Sequence, residues 1–204
     1  MRGPALPRPM TPEPRGSGPA TAGDGAEAFE RIRREHTELQ MLASRFHEVA
    51  AQVERGEPVT KADLAEGVEV HRRFLVELHH RREALIADAL GATAGSAVAA
   101  AFARCRAEHP KAVEFESAAQ ALLSAPGFGS AQLHRVAALF EREATRIVEH
   151  TKDEDDAIHR VVVDAVPPNV RAAFVEKTRA LDSEAAAAEE RLLAWSSRSN
   201  ASSD

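Results

Sequence analysis

Four stretches of this chain carry apolar residues at helical spacing, and a histidine interrupts each of the four rows. From Ala26 to about Arg55 the row reads Phe29, Ile32, His36, Leu39, Ala43, Phe46, Ala50 and Val53. Steps of three and four are the spacing of a helix face turned toward a bundle. The second row, about Lys61 to Leu90, has Leu64, Val68, Leu75, His79, Ile86 and Leu90. The third, about Ser96 to Ser124, has Phe102, Cys105, His109, Val113, Gln120 and Leu123 on one side. The fourth runs from Ser130 to about Val166 through Leu133, Phe140, Ile147, His150, Glu154, Ile158 and Val161.

Turn-forming residues separate the rows. Gly56-Glu57-Pro58 ends the first, with Thr60 as the N-cap of the second; Gly91 to Gly95 and Ala125 to Gly129 divide the others, and Pro167-Pro168 stops the fourth. Four long helices with short connections predict an all-α bundle of antiparallel neighbours. A fifth helix, 167–195, carries a thinner stripe of Phe174, Thr178, Leu181, Ala185, Ala188, Leu192 and Trp195, to lie against the bundle or a partner such as the second copy in a homodimer. Residues 1–25, rich in Pro, Gly and Arg, read as a disordered lead-in; 26–166 as the bundle; 196–204 as a loose polar tail. Alanine supplies much of the apolar content, and eight Phe and one Trp are its only aromatic bulk, which favours closely packed helices.

A formal charge of −6 without a dense Lys/Arg stripe argues against nucleic acid, and no apolar run is long enough for a membrane span. The lead-in has no apolar signal core, and one cysteine allows no internal disulfide, so the expectation is a cytoplasmic protein.

The chemistry lies in the interruptions. Glu83 and Glu154 each follow a histidine by four residues, about 40° round the helix and one turn along. Six titratable groups, His36, His79, Glu83, His109, His150 and Glu154, therefore point at one interior. Burying them without partners would cost several kcal/mol each (about 2–7 for a neutral group), a penalty that bound metal removes. The set also repeats. His36 to His109 spans 73 positions, and His79 to His150 and Glu83 to Glu154 span 71 each, as expected of two similar hairpins facing one another around two metals. Imidazole and carboxylate without thiolate suit iron, manganese or zinc, and two carboxylates able to bridge with four imidazoles fit a di-iron centre best.

The ordered segments Glu35-His36-Thr37-Glu38-Leu39, His79-His80-Arg81-Arg82-Glu83, Glu108-His109-Pro110 and Glu149-His150-Thr151-Lys152-Asp153-Glu154 resemble the hemerythrin-like, or HHE cation-binding, family over Ala26 to Val166. The resemblance implies an up-down-up-down four-helix bundle holding two non-haem irons, oxo- or hydroxo-bridged, on the six residues. It also implies small oxygen species (O2, peroxide or nitric oxide) as partners, for binding, reaction or sensing. Oxygen-carrying members have a second histidine one turn after the third-helix one, where this chain has Val113; six ligands leave an open position and favour reaction or sensing over carriage. Asp155 stands where carriers place an aspartate, but helix geometry favours Glu154 as the ligand. Pro110 leaves the angle of His109 open.

Other residues read more plainly. His71, two turns before His79, either supports a ligand or, the stronger reading, sits with His80 at the solvated boundary. Glu116 either orients a ligand or admits iron or, the stronger reading, lies at the surface. Cys105 either faces the metal or acts as a redox thiol or, the stronger reading, is a small buried hydrophobe; His47, His134 and His159 are not ligands. No catalytic residue is assigned. Two other functions compete: an iron- or oxygen-sensing module signalling through the fifth helix, and a ferritin-like di-iron bundle, for which only Glu77-x-x-His80 fits the required Glu-x-x-His.

Overall fold

A computed structural model of the chain describes residues 22–90, 96–160 and 168–198. They are all helical apart from turns, with no strand among the described residues. Five helical segments follow one another: α1 (Ala22–Glu54), α2 (61–90), α3 (Ser96–Ser124), α4 (Ser130–Arg160) and α5 (Pro168–Ser196). Helix α1 begins at Ala22, inside the stretch expected to be unstructured; residues 1–21 and 199–204, and the expected end of the fourth helix at 161–166, lie outside the described residues. No described helix is long and apolar enough to cross a membrane.

Local chemistry sets the helix ends. Gly56 takes φ +71°, letting its N–H reach the Val53 carbonyl (3.1 Å) and the Glu57 N–H reach Gln52 (2.9 Å), a left-handed stop that a side chain would resist. Thr60 Oγ1 accepts the Asp63 N–H at 3.1 Å and opens α2. Pro110 lies within α3, which continues through it.

Helix α2 is not one uniform helix. It is α-helical over Lys61–His71, wide-turned π-helix over Arg72–His79, and α-helical again over His80–Leu90. The His80 N–H donates to the Leu75 carbonyl, five residues back. Long π stretches are rare and tend to occur at functional sites.

The first apolar row is inward as expected: Ile32, His36, Leu39, Ala43, Phe46, Ala50 and Val53 are all buried. The third is inward only in part: Cys105 and Leu123 are buried and His109 half-buried, but Val113 (48% exposed) and Gln120 face outward. Ala112, Phe115 and Ala119 fill the inward face between them, while the side chain of Phe102 lies outside the described residues. Phe46 stands at the core's centre, stacked on Phe140 (4.2 Å between centroids) and against Phe115 and Trp195. Side chains pair the helices in order. His36 of α1 meets Asp155 of α4 while His47 meets Glu141; Glu83 of α2 meets His109 of α3 while His71 meets Glu116.

Helix α5 is part of this core. Leu181, Ala185, Leu192 and Trp195 are buried, and Trp195 Nε1 donates to the Asp63 carbonyl at 3.2 Å. The indole fits because residue 67 is glycine: a Cβ there would lie 2.6 Å from Trp195 Cζ2.

Candidate metal centre

All six residues singled out in the sequence meet in one place. Glu154, fully buried, puts Oε2 2.9 Å from His36 Nε2 and 3.1 Å from His79 Nε2. Glu83, also fully buried, puts Oε2 2.6 Å from His109 Nε2 and 3.6 Å from His150 Nε2. His150 Nε2 is 3.8 Å from Glu154 Oε2, so it stands between the two carboxylates. Cis ligands at about 2.1 Å from one ion lie about 3 Å apart, the separation most of these atoms show.

A seventh residue joins them. His80, expected at the solvated boundary, is buried (5% exposed) and stacks on His109 with centroids 3.8 Å apart and planes 8° apart. Two overlapping groups of donor atoms result, each gathered within 4.8 Å: His80, His109 and His150 in one; His79, Glu83, His150 and Glu154 in the other. The extra imidazole comes from α2. Val113 is 48% exposed, on the outer side of α3.

Among the described residues, five buried donor or acceptor atoms of this cluster have no hydrogen-bond partner: His80 Nε2, Glu83 Oε1, His150 Nδ1 and Nε2, and Glu154 Oε1. Unpaired buried polar atoms cost about 1–3 kcal/mol each. These five atoms belong to four residues that meet in one interior, and a bound cation would give each of the four a partner through one ligand atom, a single nitrogen in the case of His150. The buried His/Glu cluster can hold metal, and the two carboxylates can span two ions.

Electrostatics agree with that use. Burial would lower the His79 pKa, but the charge and hydrogen bond of Glu154, with Glu35, lift it to about 10. Burial likewise opposes ionisation of Glu154, yet His79 and His36 hold its carboxyl well below the ordinary carboxylate range. Without a cation, protons therefore occupy the places between imidazole and carboxylate that metal would take. Burial and the neighbouring His109, His79 and His150 push His80 far down, so it stays neutral, the form that ligates.

Two outer carboxylates aim the rings. Asp155 accepts from His36 Nδ1 at 2.7 Å and Glu35 from His79 Nδ1 at 3.2 Å, turning each Nε2 inward. Asp155 is thus an orienting group for His36, with Glu154 on the inner side. Glu35 was not anticipated as an orienting group; its position one residue before His36 was the available signal. Arg82, 1% exposed, donates from Nε to Glu35 (2.7 Å) and from Nη1 to Asp182 of α5 (3.0 Å).

The remaining expectations divide. His71 and Glu116 are buried and bonded to each other (2.9 Å), not at the boundary and surface. Cys105 is buried as expected and also lines a pocket of about 360 Å³ that reaches His150. His47 pairs with Glu141 at the surface and His134 with its own helix's first turn, while the side chain of His159 lies outside the described residues. Glu77 is held by Arg72 and Arg73, away from the donor cluster. No protein family, curated protein or solved structure matches this chain.

Proposed function

We propose that this is a hemerythrin-like protein holding two non-haem irons in an antiparallel up-down-up-down four-helix bundle, and that it reacts with small oxygen species such as peroxide, O2 or nitric oxide. The convergence of four residues with unpaired buried polar atoms, His80, Glu83, His150 and Glu154, in a seven-residue His/Glu cluster carries this reading. The paired contacts, which run in opposite senses on α1 and α4 and on α2 and α3, support antiparallel neighbours.

The chain's own groups divide the work. His36 and His79 with Glu154 offer one set of ligand atoms, and His80, His109 and His150 with Glu83 the other. Asp155 and Glu35 hold two imidazoles in the ligating tautomer. The pocket at His150 admits a small molecule from one side. When bound, a pair of irons supplies redox and Lewis-acid chemistry toward such a reactant.

One observation favours a second reading, as a sensor. Arg82 links His79, through Glu35, to Asp182 on α5, so a change at the metals could alter how that helix is held.

Anaerobic purification, iron counting, and visible spectra with O2, peroxide and nitric oxide test the proposal. Two irons per chain, lost in His79→Ala and His150→Ala, are expected; a protein that takes up no metal refutes it. Peroxide turnover by the loaded protein selects reaction. No turnover, with hydrogen exchange in α5 that follows metal state, selects sensing.

A further inference from the structure

A second buried polar network crosses the core beside the metal cluster without contributing a ligand to it. His71 of α2, fully buried, donates from Nδ1 to Glu116 of α3 (2.9 Å) and from Nε2 to Glu143 of α4 (2.6 Å). Phe115 and Phe46 flank its ring at 4.6 and 6.1 Å. Both ring nitrogens can donate only in the protonated imidazole, so two carboxylates enclose one cation. Glu143 also accepts from Arg146 Nε (2.9 Å) and Nη2 (2.5 Å), a two-point clamp. Hydrocarbon at these positions would hold a core together at least as well as such a buried ionic chain. What the chain accomplishes is the placement of Arg146.

The clamp leaves one guanidinium nitrogen over. Nη1 of Arg146 has almost no exposed surface and no hydrogen-bond partner among the described residues, so its N–H meets a guest in the adjoining pocket once the guanidinium turns outward. Arg146 lies one turn before His150 on α4, and both line the 360 Å³ pocket together with Cys105, Lys111, Glu149 and Asp153. The rim has both signs of charge, and Glu108 occupies Lys111 at 2.7 Å, so overall charge does not select the occupant. Burial, with Glu83 and Glu154 nearby, pushes the Cys105 thiol up to about 12, leaving it a neutral, weak donor. Arg104, also in the lining, is exposed and turns Nη1 to the Ala100 carbonyl of its own helix (3.4 Å), so the buried strong donor with nothing to bond to is Arg146.

We propose that Arg146 receives the small reactant in this pocket, its free Nη1–H donating to an acceptor atom of a peroxide-sized molecule or like-sized anion beside His150, while His71 and Glu143 position the guanidinium. This rests on the proposed metal centre only for what lies beyond His150.

Azide, a three-atom anion, is the probe. In the metal-loaded protein its affinity is read from the visible absorption, and Arg146→Gln should weaken it about tenfold or more, the loss of one charge-assisted bond, at unchanged metal content. Arg146→Lys should recover part of the loss. Glu143→Gln, which keeps the arginine and loosens the clamp, should lose several-fold. Azide affinity within twofold of wild type in a fully loaded Arg146→Gln protein would overturn the proposal. Should Arg146→Gln not fold, the side-chain ¹⁵N signals of Arg146 in the wild-type protein decide: they must shift on azide addition, and no shift at saturation overturns the assignment. A wild type that binds no metal would sink the metal-centre reading, and the same nitrogen titration on the metal-free protein would still decide the role of Arg146.

Discussion

His80→Leu separates a metal ligand from an ordinary core histidine because the two roles predict different signs. Without metal, His80 is a neutral buried ring whose Nε2 has no partner. Replacing it with hydrocarbon removes an unpaired polar atom, worth about 1–3 kcal/mol. It also forfeits the stack on His109, worth about 0.5–1.5 kcal/mol. The net is a gain of roughly 1 kcal/mol, or a rise of about 2–4 °C in Tm for a chain of this size. With metal, the variant lacks one imidazole of the group His80, His109 and His150. A loss of about 10–100-fold in affinity, the range for merely disturbing a ligand, is a lower bound for removing one. It shrinks the metal-induced stabilisation by about 1.4–2.7 kcal/mol, or about 3–11 °C. Thermal unfolding followed by circular dichroism, in chelator and in excess metal, reads both quantities. A variant that melts several degrees lower in chelator and keeps the full metal-induced rise would refute the reasoning, since His80 would then be packing alone.

Other perturbations separate neighbouring roles. Glu154→Gln should abolish binding of at least one ion, whereas Asp155→Asn should keep the stoichiometry and weaken affinity about 10–100-fold; metal titration checks both, and equal effects would contradict the inner and outer assignments. Trp195→Ala should cost about 3–5 kcal/mol in urea unfolding. Gly67→Ala, forced against Trp195 and Phe140, should destabilise by about 1–3 kcal/mol less the roughly 1 kcal/mol that alanine gains in a helix; a stabilised protein would show that the indole moves freely. Burial alone would lower the His71 pKa, but hydrogen bonds to Glu116 and Glu143 outweigh it and raise the value above the ordinary 6.5. Its contribution is therefore complete below about pH 6.5 and lost as pH rises through the folded value, at up to about 1.4 kcal/mol per pH unit. In the metal-free protein, His71→Gln should flatten that part of the profile between neutral and alkaline pH, and an unchanged profile would exclude the ion cluster.

The His/Glu cluster was legible because its signal is one of contradiction: a histidine on an apolar face has to be paired, and four of them at repeated spacing have to be paired together. Where the sequence misled, helical phase was the reason. In α3, alanines carry the inward face at Ala112 and Ala119, while the larger Val113 points out, so a stripe drawn through the bulkier residue was turned by about 100°. In α2 the fault lay in assuming a regular helix. Consecutive residues of an α-helix point about 100° apart, so once His79 was placed inward, His80 belonged at the boundary. The π-helical turns of Arg72–His79 hold more residues each, and they rotate the helix that follows. Both histidines consequently lie buried, with Arg82 and Glu83 after them. No residue in Arg72–His79 marks the irregularity, since the stretch has neither proline nor glycine. It also joins the two networks, with His71 at its start and His79 and His80 at its end. An irregular stretch of backbone that brings an additional imidazole to a cluster rich in unpaired polar atoms fits the proposed metal centre. A metal that restores partners to His80, His150, Glu83 and Glu154 would thus stabilise the π turns along with itself.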